Sequence, residues 1–230
     1  MIKRLLAALG IGPAAIPPAN GVGSYKPYAE PHVNFFYNLL FCDDLSLFKN
    51  ETAKADGPWP TLFADKPDLQ ALRRIVDDEA AEGRVRALAF NRLRAAGQSV
   101  PPKKILGVIV EVRLRNGLDT LAAFPEGGVR YLNQSGKIAV FEGAGNPVDG
   151  LAKELVSISQ SLVNEIGPWD RERLPPPKEG NVRLTFLVSD GLYFGEGPFE
   201  AFQGDPLGGS VLAKAIQLLQ RVVEMGTLQG

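Results

Sequence analysis

The sequence predicts an α+β fold: an antiparallel sheet covered by helices, preceded by a helical part. Two observations over the 230 residues carry this expectation. From residue 104 the apolar spacing changes from a helical period to strict alternation, and the alternating stretches are joined by turns short enough to require antiparallel pairing. Ahead of residue 97, and in two later stretches, apolar residues recur at the spacing of amphipathic helices. The expected division is an N-terminal helix and extended arm over 1–32, then one α+β domain over 33–230, with 33–97 helical and 104–226 forming the sheet with two helices.

The chain opens on "MIKRLLAALGIG", a basic start and an apolar stretch that Gly10, Gly12 and Pro13 interrupt too early for a secretory signal. A short amphipathic helix and a cytoplasmic location are expected. Residues 13–32, rich in Pro, Gly and Ala, read as an extended surface segment. Val33 to Phe48 is dense enough in apolar residues for one largely buried helix, with Asp43, Asp44 and Lys49 as its wet positions. In "DKPDLQALRRIVDDEAAEG", Asp65 is the expected N-cap, Pro67 fits the first turn, and Leu69, Leu72, Ile75 and Val76 form one stripe. "RVRALAFNRLRAAG" repeats that spacing with Val85, Leu88, Ala89 and Leu93 inward, places Arg84, Arg86, Arg92 and Arg94 outward, and stops at Gly97.

"VIVEVRLRNGLDTLAAF" puts Val108, Val110, Val112 and Leu114 on one side, turns near Asn116-Gly117, and returns with Leu121 and Ala123 on the matching side. "RYLNQSGKIAVFEG" is a second hairpin. Its Ser-Gly-Lys is no phosphate loop, because Tyr131 stands where the first Gly of a GxxxxGK[ST] motif belongs, Ile138 where its Ser or Thr belongs, and Lys137 begins a strand rather than a helix. "NPVDGLAKELVSISQSLVNEIGP" is a helix capped at Asn146, with Leu151, Leu155, Ile158 and Leu162 inward. A third hairpin turns about Asp190-Gly191. The last helix, capped by Ser210, carries Leu212, Ile216, Leu219 and Val223 inward, with Val211, Leu218 and Val222 widening its stripe toward deeper burial or a homo-oligomer contact.

Composition narrows the chemistry. Lys and Arg total 25 against 26 acids, so nothing in the overall charge points to nucleic acid, and no apolar run is long enough to cross a membrane. One histidine, His32, and one cysteine, Cys42, leave no set for a Cys/His metal site, and no cofactor motif is present. The catalytic candidates are Asp190 and Glu196, within a Gly-rich acidic segment over 189–205 that could hold a carboxylate pair. The ligand-binding candidates are Tyr131, Asn133, Ser135 and Lys137 around one turn, with Tyr193 beside the acidic segment. Turn formation explains the same residues without a ligand. The expected function is a non-enzymatic interaction or regulatory module with a protein partner. The alternative, a carboxylate hydrolase or isomerase, requires the 131–137 turn and the 189–205 segment to face one cleft, and both are expected at neighbouring hairpin ends.

Overall fold

The computed structural model describes residues 25–53 and 57–227; the expected first helix lies outside them. Six antiparallel strands form one sheet: β1 (Ile105–Leu114), β2 (Gly117–Ala123), β3 (Val129–Leu132), β4 (Ile138–Phe141), β5 (Asn181–Val188) and β6 (Gly191–Pro198). Their order is β4-β3-β2-β1-β5-β6, so the four-strand meander is extended on the β1 side by the third hairpin. The α+β expectation holds.

Seven α-helices cover both faces of this sheet among the described residues: α1 (Pro31–Leu39), α2 (Trp59–Phe63), α3 (Leu69–Asp77), α4 (Gly83–Ala95), α5 (Asp149–Glu165), α6 (Phe199–Gln203) and α7 (Gly208–Thr227). The alternation of β1, shifted by one residue at an irregularity between Ile105 and Gly107, sorts its residues between two cores. Val108 and Val110 join Leu121, Val129, Leu184 and Phe186 under α5 and α7. Leu106 and Ile109 join Ala122, Phe124 and Leu187 under the N-terminal helices. The helical N-terminal part therefore seals the second face of the sheet.

The hairpin registers match the expected alternation: Val108 faces Ala123, Val110 faces Leu121, and Leu114 faces Gly117. The tight turn consists of Arg115 and Asn116, one residue earlier than Asn116-Gly117. In the second hairpin the Asn133 amide donates to the Lys137 carbonyl and Gly136 adopts φ +84°. A Cβ at Gly136 would stand 2.5 Å from a Glu30 carboxylate oxygen. We expect Gly136→Ala to cost about 1–2 kcal/mol through this left-handed backbone, seen as a lowered unfolding midpoint in urea with an unchanged m-value.

Five helix expectations change. The single helix over 33–48 is two pieces, α1 and a 3-10 helix Leu45–Ala53, because Cys42 turns the chain at φ +54°. Pro31 occupies the first turn of α1, so His32 is helical rather than coil. The cap of α3 is Asp68, whose carboxylate accepts from the Gln70 amide, three residues beyond Asp65. Asp205 rather than Ser210 serves the start of α7, accepting from Leu207 and Gly208 amides. On α7 the buried stripe is rotated: Val211, Leu218 and Val222 are almost wholly buried whereas Val223 is 47% exposed. The widened stripe is thus deeper burial within the chain.

The arginines of α4 do not form a solvated face. Arg86, 3% exposed, donates twice to the carbonyl of Val76 in the last turn of α3. Arg92 donates to the Ala64 carbonyl and Arg94 to that of Ser189. Carbonyls at helix ends and in loops lack a backbone donor, and a guanidinium on a long apolar stem can be buried to meet them. Gly83, at the start of α4, lets this helix sit against β1: a Cβ there would come within 2.2 Å of the Leu106 carbonyl oxygen.

Candidate functional site

The strongest chemical feature lies on the sheet face beneath α1. Register places Thr120, Glu111, Arg183 and Glu196 side by side on β2, β1, β5 and β6, a polar row crossing four strands. Glu111 is fully buried. Its Oε1 accepts from the Tyr37 hydroxyl at 2.7 Å, and its Oε2 lies 3.7 Å from Arg183 Nη1. Arg183 Nε and Nη2 donate to Glu196 Oε2 at 2.9 and 2.5 Å, while Asn181 Nδ2 donates to Glu196 Oε1 at 3.0 Å. Burial pushes the Glu111 carboxyl upward, and the Arg183 charge pulls it back. With no exposure, Glu111 cannot meet a substrate in this arrangement; it sets the charge balance of the floor.

A second buried arginine ties a loop to this floor. Arg173 Nε donates to Asp43 Oδ2 at 2.8 Å and Nη2 to Asn38 Oδ1 at 2.9 Å, with the guanidinium carbon 3.9 Å from the Phe41 ring centre and 4.9 Å from that of Tyr25. The Tyr25 hydroxyl donates to the Arg173 carbonyl at 2.7 Å. Burial raises the Tyr25 phenol, opposed by Arg173.

Two asparagines one helical turn apart on α1 hold the segment before it. Asn38 accepts from the Tyr25 amide and donates to the Tyr25 carbonyl; Asn34 accepts from the Tyr28 amide and donates to the Tyr28 carbonyl. Each carboxamide supplies one donor and one acceptor, so it pairs with a residue's backbone as a neighbouring strand would. The Tyr28 hydroxyl lies 2.8 Å from Thr120 Oγ1 at the end of the polar row. The described part of the expected surface arm is therefore extended but clamped.

These supports define an open groove of about 510 Å³ between three segments: Tyr25–Pro27, the β1–β2 turn at Arg113–Arg115, and Pro176–Glu179. The last segment follows Arg173 and closes on β1 through a Gly180 amide donating to the Arg113 carbonyl. Lys26, Arg113, Arg115 and Lys178 project from the three walls, and Glu179 is the one acid of the lining. Among the described residues, none of these four cations has an ion-pair partner. The arrangement offers concentrated positive charge on walls fixed from beneath, which is the chemistry of anion capture.

No family model matches this chain, and no curated protein matches it.

The sequence candidates fall elsewhere and apart. Asp190 sits in the β5–β6 turn, where Oδ2 accepts from the Tyr193 hydroxyl at 2.9 Å and Oδ1 from the Lys103 amide at 3.2 Å. Burial and the neighbouring Asp190 push the Tyr193 phenol up to about 12. Glu196, six positions further along an extended strand, is roughly 20 Å away at about 3.3 Å per residue. Tyr131 faces the other side of the sheet, packed with Leu121 and α7, and its hydroxyl accepts from Asn133 Nδ2 at 3.0 Å. Asn133 Oδ1 accepts from the Ser135 amide in a local turn, and Lys137 is exposed. The 131–137 turn lies at the opposite end of the sheet from the Asp190 turn, since β3 ends where β5 begins. The expected shared cleft is not formed: the geometry gives each group a separate local partner.

Glu111, Arg113, Asn34, Asn38 and Arg173 did not emerge from the sequence reading. The available signal was the run "ILGVIVEV", in which apolar residues occupy both faces of β1 and therefore imply that Glu111 is buried too. Among the described residues, no three His, Cys, Asp or Glu side chains gather where they could hold a metal ion. Cys42 is buried, and that burial raises its thiol far above the ordinary range. No helix among the described residues is long and apolar enough to cross a membrane.

Proposed function

We propose that this chain is a cytoplasmic, non-enzymatic interaction module that presents the groove beside the β1–β2 turn to a partner. The observation that carries this reading is the set of four cations without ion-pair partners among the described residues, on a groove whose walls are held by buried arginines and asparagines. A surface fixed in advance loses less entropy on association.

The carboxylate alternative has less support, because Asp190 and Glu196 are separated along β6 and each is already engaged by neighbours. A broad panel of ester, phosphate and glycoside substrates separates the two readings. The expected result is no turnover that depends on these acids. Turnover removed by Glu196→Gln or Asp190→Asn would overturn the interaction reading.

A further inference from the structure

We propose that the groove binds an extended, acidic segment of another protein. The inference rests on the interaction reading above and names the ligand class of the same site. Its first support is charge: the whole chain carries a formal net charge of −1, yet Lys26, Arg113, Arg115 and Lys178 surround this one groove, with Glu179 the single acid beside them. A concentration of cations in an otherwise balanced chain creates a local positive field and favours anionic partners.

Shape and lining indicate which anion. The groove is open rather than enclosed, so it suits a segment lying across it better than a small molecule, which needs most of its surface buried. Pro27, Pro176 and Pro177 stiffen two walls, and Asn38 fixes the backbone of the first of them at Tyr25.

A single-stranded nucleic acid would need exposed aromatic faces on which bases stack. Tyr25 is the one aromatic of the lining, and it is taken: Arg173 lies 4.9 Å from its ring centre and its hydroxyl is donated to a carbonyl. The observations therefore favour a carboxylate-bearing peptide over a polynucleotide.

Fluorescence anisotropy with the full chain tests the assignment, using a labelled Glu-rich peptide, a Lys-rich peptide of equal length, and an oligothymidylate of equal charge. The Glu-rich peptide should bind with a Kd of order micromolar. Binding should weaken by about tenfold or more in Arg115→Glu/Lys178→Glu and fall as salt is raised. The control Lys153→Glu/Lys214→Glu makes the same change in net charge on α5 and α7, across the sheet, and should leave the affinity unchanged. Circular dichroism melting establishes that both variants fold; should the groove variant fail to fold, Arg115→Gln and Lys178→Gln singly, each weakening binding by about threefold, take its place.

The proposal is overturned if the Glu-rich peptide does not bind, if the control weakens binding as much as the groove variant, or if the oligothymidylate binds as tightly. Any of these with a silent substrate panel removes the acidic-segment assignment and leaves the interaction reading standing. Acid-dependent turnover in the panel removes the interaction reading itself.

Discussion

Replacing Arg183 by leucine is expected to cost about 3–5 kcal/mol of folding stability, the range for breaking a buried ion pair from one side. Arg183 is 4% exposed and stands between Glu111, fully buried, and Glu196. Removing it leaves Glu196 with Asn181, and leaves Glu111 with only the Tyr37 hydroxyl donating to it. An unneutralised carboxylate in that position takes up a proton instead.

The loss is therefore expected to depend on pH. Burial already holds the Glu111 carboxyl above its ordinary value, and Arg183 is the largest influence pulling it down. Without Arg183 the folded-state value rises further above that of the unfolded chain. Folding then takes up a proton, so the contribution of Glu111 is fully present below the unfolded carboxylate value of about 4.3 and is lost as pH rises through the folded value. Urea titrations at mildly acidic and mildly alkaline pH should give a deficit that shrinks on the acid side. A pH-independent deficit, or one below about 1 kcal/mol, would contradict the assignment of Arg183 as the neutralising charge. Adding Glu111→Leu and Tyr37→Phe to Arg183→Leu should recover much of the stability, because a well-packed apolar replacement has no charge to desolvate.

The polar row explains how far the sequence could be followed. Period-two alternation in "VIVEVRLR" fixed which residues of β1 and β2 share a face, and the observed pairing of Val110 with Leu121 agrees. The opposite face, which carries Glu111 and Arg113, is covered by α1 at Glu111 and is open toward Arg113. Alternation reports sidedness; whether a second layer covers the polar side depends on chain segments far away. Asn34 and Asn38 show the same limit. They stand one helical turn apart, a spacing visible in "NFFYN", but their partners are backbone atoms of Tyr25 and Tyr28 brought back by the chain reversal before α1. Local caps failed differently. Asp65 and Ser210 are sound cap residues by type, but the helices begin at Leu69 and Gly208, where Asp68 and Asp205 are the residues placed to accept from the first amides. The candidate acids Asp190 and Glu196 share one short strand hairpin, yet an extended strand carries residues six apart to opposite ends of the sheet.

The second large effect is expected at Arg173, whose replacement by leucine should also cost about 3–5 kcal/mol and should loosen the groove wall that follows it. Arg173 is 7% exposed, with Asp43 and Asn38 on its nitrogens and the Phe41 ring against its plane. Leucine fills part of the volume but leaves Asp43 without its cation. Arg173→Lys separates charge from geometry: the ammonium can neutralise Asp43, but it cannot also lie flat on Phe41 and reach Asn38, so a loss of about 2 kcal/mol is expected. A double-mutant cycle with Asp43→Asn should return a coupling of about 1–3 kcal/mol; additivity would show that Arg173 acts through packing alone. The local consequence is read separately. The Arg173 carbonyl receives the Tyr25 hydroxyl and Leu174 receives Arg183, so the anchor holds the start of the segment that carries Pro176 to Glu179 along the groove. In Arg173→Leu, trypsin should cut after the exposed Lys178 faster than in the native chain, at a temperature where both remain folded by circular dichroism. Equal cutting rates would mean that the Gly180 contact to Arg113 and the three prolines fix the wall without Arg173, and the groove would then be shaped from β1 rather than from the buried arginine.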